Sequence, residues 1–303
     1  MKIFITGGAG FIGSNLANYL VNQGSKVWVI DNLSNGKKEN LDEKVTFIGG
    51  DLTGFQLGYF DEVKPEVVFH LAAQTSGVLS FKKPYDDMYS HVVDTFIMLQ
   101  ESLKHKVKHF IYTSSTTVYG DCGGCEIDRE TSTYPQTYYA TGKLAAEKYV
   151  QFFNTQGLST TIYRLPNVYG TMQNLDNMDQ GMVSIFLKYF LDGGPIMVKG
   201  GLDRERDFIY IDDVVNELIS CILHSNCFGE IFNLVTGNSY SVLELIGILG
   251  KTLDRKEYTI QIEGGTPGDQ YKVKFADGGR KDFINLNEGI KRMVEYYVPN
   301  MRK

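Results

Sequence analysis

Close to the N-terminus, Thr6-Gly7-Gly8-Ala9-Gly10-Phe11-Ile12-Gly13 follows the β-branched run Lys2 to Thr6 and opens an amphipathic stretch from Phe11 to Asn22. A Gly-x-x-Gly-x-x-Gly pattern at residues 7, 10 and 13, set between strand and helix, fits few folds. The first glycine allows a tight turn and the second lets backbone approach a pyrophosphate. The third lets helix and strand pack closely, and the helix N-terminus offers unpaired N–H groups and a positive dipole end. A dinucleotide is the natural ligand. The next strand, Lys26 to Ile30, ends in Asp31, whose carboxylate is placed to accept hydrogen bonds from an adenosine ribose diol. An anion there repels a 2′-phosphate and no arginine follows it, so NAD is expected rather than NADP.

The rest of the first half keeps the same rhythm. Strand-like runs at Val45 to Gly49, Glu66 to His70, His109 to Thr113 and Thr160 to Arg164 alternate with helical stretches at about Pro84 to Lys104 and Tyr138 to Thr155. Such alternation, with turn glycines after strands, predicts a parallel sheet covered on both faces. The expected fold class is α/β, a doubly wound parallel sheet (Rossmann) with a smaller C-terminal α/β lobe. The pattern changes after Pro166, so residues 1–166 read as the dinucleotide-binding domain and 167–303 as the smaller lobe. The strand-like run Glu230 to Leu234 suggests that residues 212–235 rejoin the first sheet.

Composition narrows the partners. The 36 acidic residues against 30 basic ones leave a net charge of -6, which argues against a nucleic-acid groove or a membrane face. Any anionic ligand must then be held locally. No apolar run approaches the ~18 residues of a membrane span, and the N-terminus breaks into Thr-Gly-Gly too early for a signal segment, so a cytoplasmic location is expected. Cys122-Gly-Gly-Cys125 has the spacing of half a zinc or redox site, but Cys221 and Cys227 do not complete it. Free thiols and no bound metal are expected.

Tyr139-Ala140-Thr141-Gly142-Lys143 places a phenol and an ammonium one helical turn apart. A cation in a partly dehydrated site stabilises phenolate, each pKa unit being worth about 1.4 kcal/mol. The run Thr113-Ser114-Ser115 ends the preceding strand, at the carboxyl edge where ligands of such sheets bind. A hydroxyl there can orient an alcohol toward the tyrosine, or simply satisfy its own backbone. Asp51, after Gly49-Gly50, reads either as a group over the adenine or as a helix cap.

Taken together, the chain resembles the extended short-chain dehydrogenases/reductases of the nucleotide-sugar epimerase and dehydratase group, most of all their UDP-glucose 4-epimerase type. The motifs are the glycine loop, Asp31-Asn32-Leu33, Gly50-Asp51-Leu52, His70-Leu71-Ala72-Ala73, Thr113-Ser114-Ser115, Tyr139 to Lys143, Arg164 to Gly170 and Arg206-Asp207-Phe208-Ile209-Tyr210. The resemblance implies that Tyr139 is the base, that Lys143 holds the nicotinamide ribose and lowers the tyrosine pKa, and that Ser115 bridges substrate hydroxyl and tyrosine. It adds Phe11, Ile12, Asn32, Asp51, Leu52, Leu71, Ala72, Ala73 and Thr113 to the cofactor set. Asn167, Arg206 and Asp269 are implied to contact a nucleotide-diphosphate sugar, and a homodimer through the helices near Pro84 to Lys104 and Tyr138 to Thr155 is implied as well.

The reaction implied is reversible hydride transfer at sugar C4 through a 4-keto intermediate. A reductase or another-position epimerase of the same fold is the alternative, and a non-catalytic dinucleotide sensor would be expected to lack Tyr139 or Lys143. Dehydratases of the group carry Asp-Glu after the serine or threonine, where Thr116 and Thr117 stand here and cannot serve as an acid/base pair. Three departures bear on the substrate: Thr266 replaces an arginine expected to grip diphosphate, His91 replaces the asparagine of an Asn-Val-x-Gly-Thr helix, and Thr171-Met172 replaces Pro-Gly. Lys199, Lys272 or Arg280 could take over the phosphate contact, or the base could be other than uracil.

Overall fold

The computed structural model describes residues 1–52, 58–265, 268, 272–276 and 282–299. The chain runs β1 (Lys2–Thr6), α1 (Phe11–Asn22), β2 (Lys26–Asp31), β3 (Thr46–Gly49), α2 (Gly58–Val63), β4 (Val67–His70), α3 (Gly77–Lys82), α4 (Pro84–Met88), α5 (Asp94–Lys104) and β5 (His109–Ser115). There follow β6 (Glu126–Ile127), α6 (Tyr138–Thr155), β7 (Thr160–Leu165), β8 (Asn167–Tyr169), α7 (Met182–Asp192), β9 (Ile196–Lys199), β10 (Glu205–Tyr210) and α8 (Ile211–Ser220). The last elements are β11 (Ile231–Asn233), β12 (Ser239–Ser241), α9 (Val242–Thr252), β13 (Ile260–Glu263), β14 (Lys274–Phe275) and α10 (Leu286–Tyr297).

Two compact units divide these elements. The first contains Met1–Ser115, Tyr138–Arg164 and Val215–Phe232; the second contains Thr116–Thr137, Leu165–Val214 and Asn233–Lys303. The first unit is built on a seven-stranded sheet in the order β11-β7-β5-β4-β1-β2-β3. The strands β3, β2, β1, β4 and β5 pair in parallel. Chain order reverses between β1 and β4, and such a switch point opens a ligand crevice at the carboxyl ends of the strands. Both faces are covered, which is why β1 is apolar without alternation. Phe4 packs with Phe110, Met98, Val150 and Phe153 in one core, while Ile3 and Ile5, pointing the other way, are equally buried.

Local signals set the helix ends. After α1, Gly24 takes φ +83 and donates to Val21 O, while Ser25 N donates to Leu20 O. That left-handed Schellman turn reverses the chain into β2. The predicted helix from Pro84 to Lys104 is not one regular helix. Proline starts α4, and residues Tyr89–Val93 form a π-helical turn before α5, a defect the 3.6-residue periodicity does not reveal.

Two buried histidines tie the sheet together. Thr6 Oγ1 accepts from Leu71 N (3.2 Å) and Ala72 N (3.1 Å), so its proton goes to His70 Nδ1 at 2.7 Å. His70 Nε2–H donates to Thr95 Oγ1 at 2.9 Å, and Thr95 donates on to His91 O at 2.5 Å. His109 repeats the scheme: Nδ1 accepts from Leu223 N, and Nε2–H donates to Thr161 Oγ1 (2.8 Å), which donates to Cys227 O. Each ring is thereby fixed neutral with its proton on Nε2, and burial pushes the pKa down to about 3 for His70 and about 4 for His109.

Beneath α6, Glu147 and Arg164 form a buried bidentate pair, with Nη2 to Oε2 at 2.7 Å and Nε to Oε1 at 3.0 Å. Ser114 Oγ also donates to Glu147 Oε1 at 2.5 Å. In the second unit β8 and β10 pair in parallel and β10 and β12 antiparallel. Helix α10 sits close enough to these strands that a Cβ on Gly289 would lie 2.1 Å from Tyr169 Oη.

Two stability predictions follow from these buried groups. Glu147→Ala strands the Arg164 guanidinium and should cost about 3–5 kcal/mol in urea unfolding, while Glu147→Met combined with Arg164→Met should recover most of the loss. The second concerns acid. Both histidines have folded-state pKa values below the reference value of 6.5, so their contribution is present above pH 6.5 and lost as pH falls toward 4. Each should add about 1.4 kcal/mol per pH unit of slope. His70→Gln should remove its share of that slope, and an unchanged pH dependence of the unfolding free energy would contradict the assignment.

Candidate active site

The glycine loop is held on three sides. Gly7, at φ +66, donates from its N–H to Ile30 O (2.8 Å), and a Cβ there would lie 2.7 Å from the Ala72 backbone. A Cβ on Gly13 would lie 2.3 Å from Gly7 O. Any side chain at these two positions would therefore push the loop off the sheet. Gly10 caps α1 without a side-chain bond, and the first turn carries no acidic residue, which leaves the positive helix end open to an anion.

Asp31 is already oriented by this loop: Oδ2 accepts from Ala9 N (3.0 Å) and Oδ1 from Leu33 N (2.8 Å). Asn32 Nδ2 donates to Asp51 Oδ1 at 2.6 Å, joining the ends of β2 and β3. Sequence reasoning missed Gly36. Its Cβ would lie 2.7 Å from Ala9 C and O, and Lys37 N donates to Ala9 O (3.0 Å), so the segment after Asp31 folds back over the loop. A lone glycine in a polar run carries no signal of that approach. Leu71, Ala72 and Ala73 follow β4 at the switch point and are half-buried, while Leu52 is buried. A cradle of bare backbone with a fixed carboxylate beside it fits a dinucleotide, so Gly7, Gly10, Gly13 and Asp31 are the residues that would hold one.

Strand β5 and helix α6 bring Ser115, Tyr139 and Lys143 together. The Tyr139 phenol shares a hydrogen bond with Ser115. Lys143 is 4% exposed; its Nζ donates to Thr113 O at 2.8 Å and lies 5.0 Å from the Tyr112 ring centroid. Burial pushes the ammonium down to about 7, against the opposing pull of Glu147 and Asp87. Burial also pushes the Tyr139 phenol up, to about 12, with the Ser115 bond working the other way. In the protein alone the phenol is raised, not lowered as the Tyr-x-x-x-Lys spacing implied, because desolvation dominates.

In the second unit, Asn167 Nδ2 donates to Asp207 O (3.2 Å), and Arg206, 6% exposed, donates from Nη1 to Glu205 O (2.8 Å). The Asp207 carboxylate is held by Thr236 N, Thr236 Oγ1 and Gly237 N, so it is not a simple surface counter-ion for Arg206. Of the alternative phosphate ligands, Lys272 faces Glu205 Oε1 at 3.3 Å and Lys199 is exposed at the end of β9. Asp269, Thr266 and Arg280 lie outside the described residues. All four cysteines are free thiols. Among the described residues no cluster suits a metal ion, and no helix is long and apolar enough to cross a membrane.

Comparison with known proteins agrees with this geometry. The model of the NAD dependent epimerase/dehydratase family matches residues 3–234. A UDP-glucose 4-epimerase of Mycolicibacterium smegmatis is 34% identical over 315 residues, covering 98% of each chain. The crystal structure of UDP-glucose 4-epimerase with UDP-glucose from Thermotoga maritima is 32% identical, with a TM-score of 0.93 and 99% of each chain covered. The Thermus thermophilus UDP-glucose 4-epimerase in complex with NAD is 28% identical, with a TM-score of 0.90 over 98% of this chain and 99% of that one. A match over most of the chain, joined to a backbone cradle shaped for a dinucleotide, means that the chain belongs to the NAD-dependent epimerase/dehydratase family of nucleotide-sugar enzymes and uses NAD as its cofactor.

Proposed function

We propose that the protein is a nucleotide-sugar 4-epimerase acting through a 4-keto sugar, with Tyr139 as the base. The observation that carries this reading is the Ser115–Tyr139 hydrogen bond with Lys143 one turn away, its ammonium anchored on Thr113 O. When bound, oxidised NAD supplies the hydride acceptor and a positive charge beside the phenol. Ser115 Oγ orients the sugar 4-hydroxyl, Tyr139 Oη takes its proton, and the Lys143 ammonium stabilises the phenolate that must form first. That cation is needed because burial, with the Asp87 charge adding to it and the Ser115 bond opposing it, holds the phenol near 12, far from a useful base at neutral pH. The same residues return the proton when the sugar is reduced on its other face.

Residues 1–166, rejoined by 212–235, serve the cofactor in this reading, with Gly7, Gly10, Phe11, Ile12, Gly13, Asp31, Asn32, Asp51, Leu52, Leu71, Ala72, Ala73 and Thr113 lining its site. Residues 167–303 serve the sugar nucleotide through Asn167, Arg206 and Asp269. One well-placed arginine can hold a diphosphate in an acidic protein. Epimerisation is favoured over 4,6-dehydration because Thr116 and Thr117 supply no carboxyl acid/base pair for removing the C6 hydroxyl. Similar chains described as UDP-glucose 4-epimerases support the UDP-sugar class. We also infer a cytoplasmic homodimer. Exposed Tyr85 (75%), Tyr89, Tyr138 and Phe152 (56%) on α4, the π-helical turn and α6 support an apolar contact there.

The test is incubation of the NAD-loaded protein with UDP-, dTDP-, GDP- and CDP-sugars, followed by NMR of the products. Interconversion at C4 with no net change in NAD is expected. Tyr139→Phe should lower kcat at least about a hundredfold with little change in KM. A 4-keto-6-deoxy product, stoichiometric consumption of NADH, or a fully active Tyr139→Phe enzyme would overturn the reading.

A further inference from the structure

The π-helical turn between α4 and α5 delivers one side chain to the back of Tyr139. His91 lies in that turn and is 1% exposed. Its ring meets the Tyr139 ring edge-on, with centroids 5.2 Å apart and planes at 77°. It also fills the space left by Gly142, where a Cβ would come within 3.0 Å of His91 Cβ and 3.1 Å of Cδ2. A bulge in a helix and a glycine in the facing helix thus combine to seat an imidazole against the face of α6 that carries Tyr139 and Lys143.

The polar side of that imidazole faces a second buried group. Asp87, also 1% exposed, has Oδ1 at 3.5 Å from His91 Nε2, and Gln74 Nε2 donates to the same Oδ1 at 2.8 Å. Neither ring nitrogen makes a well-aligned hydrogen bond, which is unusual for a fully buried histidine. The charged or titratable groups that face the ring are Asp87 from α4, Tyr139 and Lys143 from α6, and His70 from β4, with the Gln74 backbone alongside. Glu147, the other carboxylate near Lys143, is spent on Arg164 and Ser114. Asp87 is therefore the carboxylate that is not ion-paired with an arginine in this cluster.

We propose that His91, backed by Asp87, is a positioning residue for Tyr139: the imidazole fixes the phenol ring from behind and shields it from the Asp87 carboxylate. The proposal rests on the reading of Tyr139 as the base. The physical argument is that a carboxylate in a dry site opposes formation of a phenolate nearby, and burial magnifies that opposition. The negative charge of Asp87 raises the Tyr139 pKa in this structure and raises that of Lys143 as well. The polar edge of the imidazole, with Nε2 at 3.5 Å from Oδ1, takes up part of the carboxylate's field, and a proton on the ring would cancel it. Asp87 can then keep Lys143 cationic at a reduced cost to the phenol.

The experiment uses NAD-loaded protein carrying 13Cζ-labelled tyrosine, with the Tyr139 signal identified by its loss in Tyr139→Phe. His91→Phe keeps an aromatic edge but loses the N–H, and should raise the Tyr139 titration midpoint by about half a pH unit or more with a several-fold fall in kcat at unchanged KM. Asp87→Asn, isosteric and uncharged, should move the midpoint the other way, and it keeps the test open if His91→Phe folds poorly. The double variant should match Asp87→Asn, because without the carboxylate there is no field left to shield. Midpoints that stay put, or that move together in the two single variants, would overturn the proposal, since lost packing alone predicts no opposite shifts. An active Tyr139→Phe enzyme would instead remove the base assignment, so the two failures are distinguishable.

Discussion

An ammonium group enclosed by protein must be compensated wherever it sits, and the arrangement around Lys143 follows from that requirement. Its Nζ reaches the Thr113 carbonyl at the end of β5 and the face of Tyr112, so strand and helix must be in register before the charge is tolerated. Glu147, one turn further along α6, adds negative potential but is itself neutralised by Arg164 on β7. Asp87, reached across the π-helical turn, adds a second contribution. Charges on α4, α6 and β7 thus form one balance, and replacing any one of them with a neutral group changes the conditions for the others.

That balance explains why burial and chemistry pull in opposite directions. Removing Tyr139 and Lys143 from water weakens the charged form of each. The resting protein therefore holds a phenol that is a poor base beside an ammonium that gives up its proton easily. A cationic cofactor ring favours phenolate and disfavours the ammonium, so binding of NAD and activation of the proposed base become one electrostatic event. The glycine cradle, which lets α1 approach the turn after β1 and lets that turn approach Leu71 and Ala72 with no side chain between, would in the proposed reading hold the cofactor that supplies that charge.

Much of this architecture was legible in the residues because it rests on local rules. The glycine spacing, the carboxylate ending β2 and the Tyr-x-x-x-Lys spacing each follow from backbone geometry over a few positions, and α6 spans the residues that periodicity marked. Features made by long-range approach were not legible. Gly36 is glycine because of Ala9, Gly142 because of His91 and Gly289 because of Tyr169; in each case the partner lies far away in sequence. The π-helical turn was hidden for a related reason, since a one-residue insertion into a helix leaves the apolar pattern nearly intact. The phenol is raised rather than lowered because desolvation depends on tertiary burial, which spacing within a helix does not report.

The choice of reaction is set by groups different from those that set the fold. In the proposed reading Ser115, Tyr139 and Lys143 would take a proton from a sugar hydroxyl or give one to a carbonyl in an epimerase, a dehydratase or a reductase alike, so their presence does not separate the three. Separation comes from what stands beside them. Threonine at 116 and 117 withholds a carboxyl pair for an elimination at C6, and in the proposed reading this leaves a keto sugar only a change of face. In the proposed reading substrate identity would rest in turn on residues 167–303, whose sequence has Thr266 in place of an expected arginine. In the proposed reading a diphosphate would then depend more heavily on Arg206, which is buried and held by the Glu205 carbonyl. A contact made by a side chain ordered in advance loses little entropy on binding, so one preorganised arginine can take over much of what a second, mobile one would contribute.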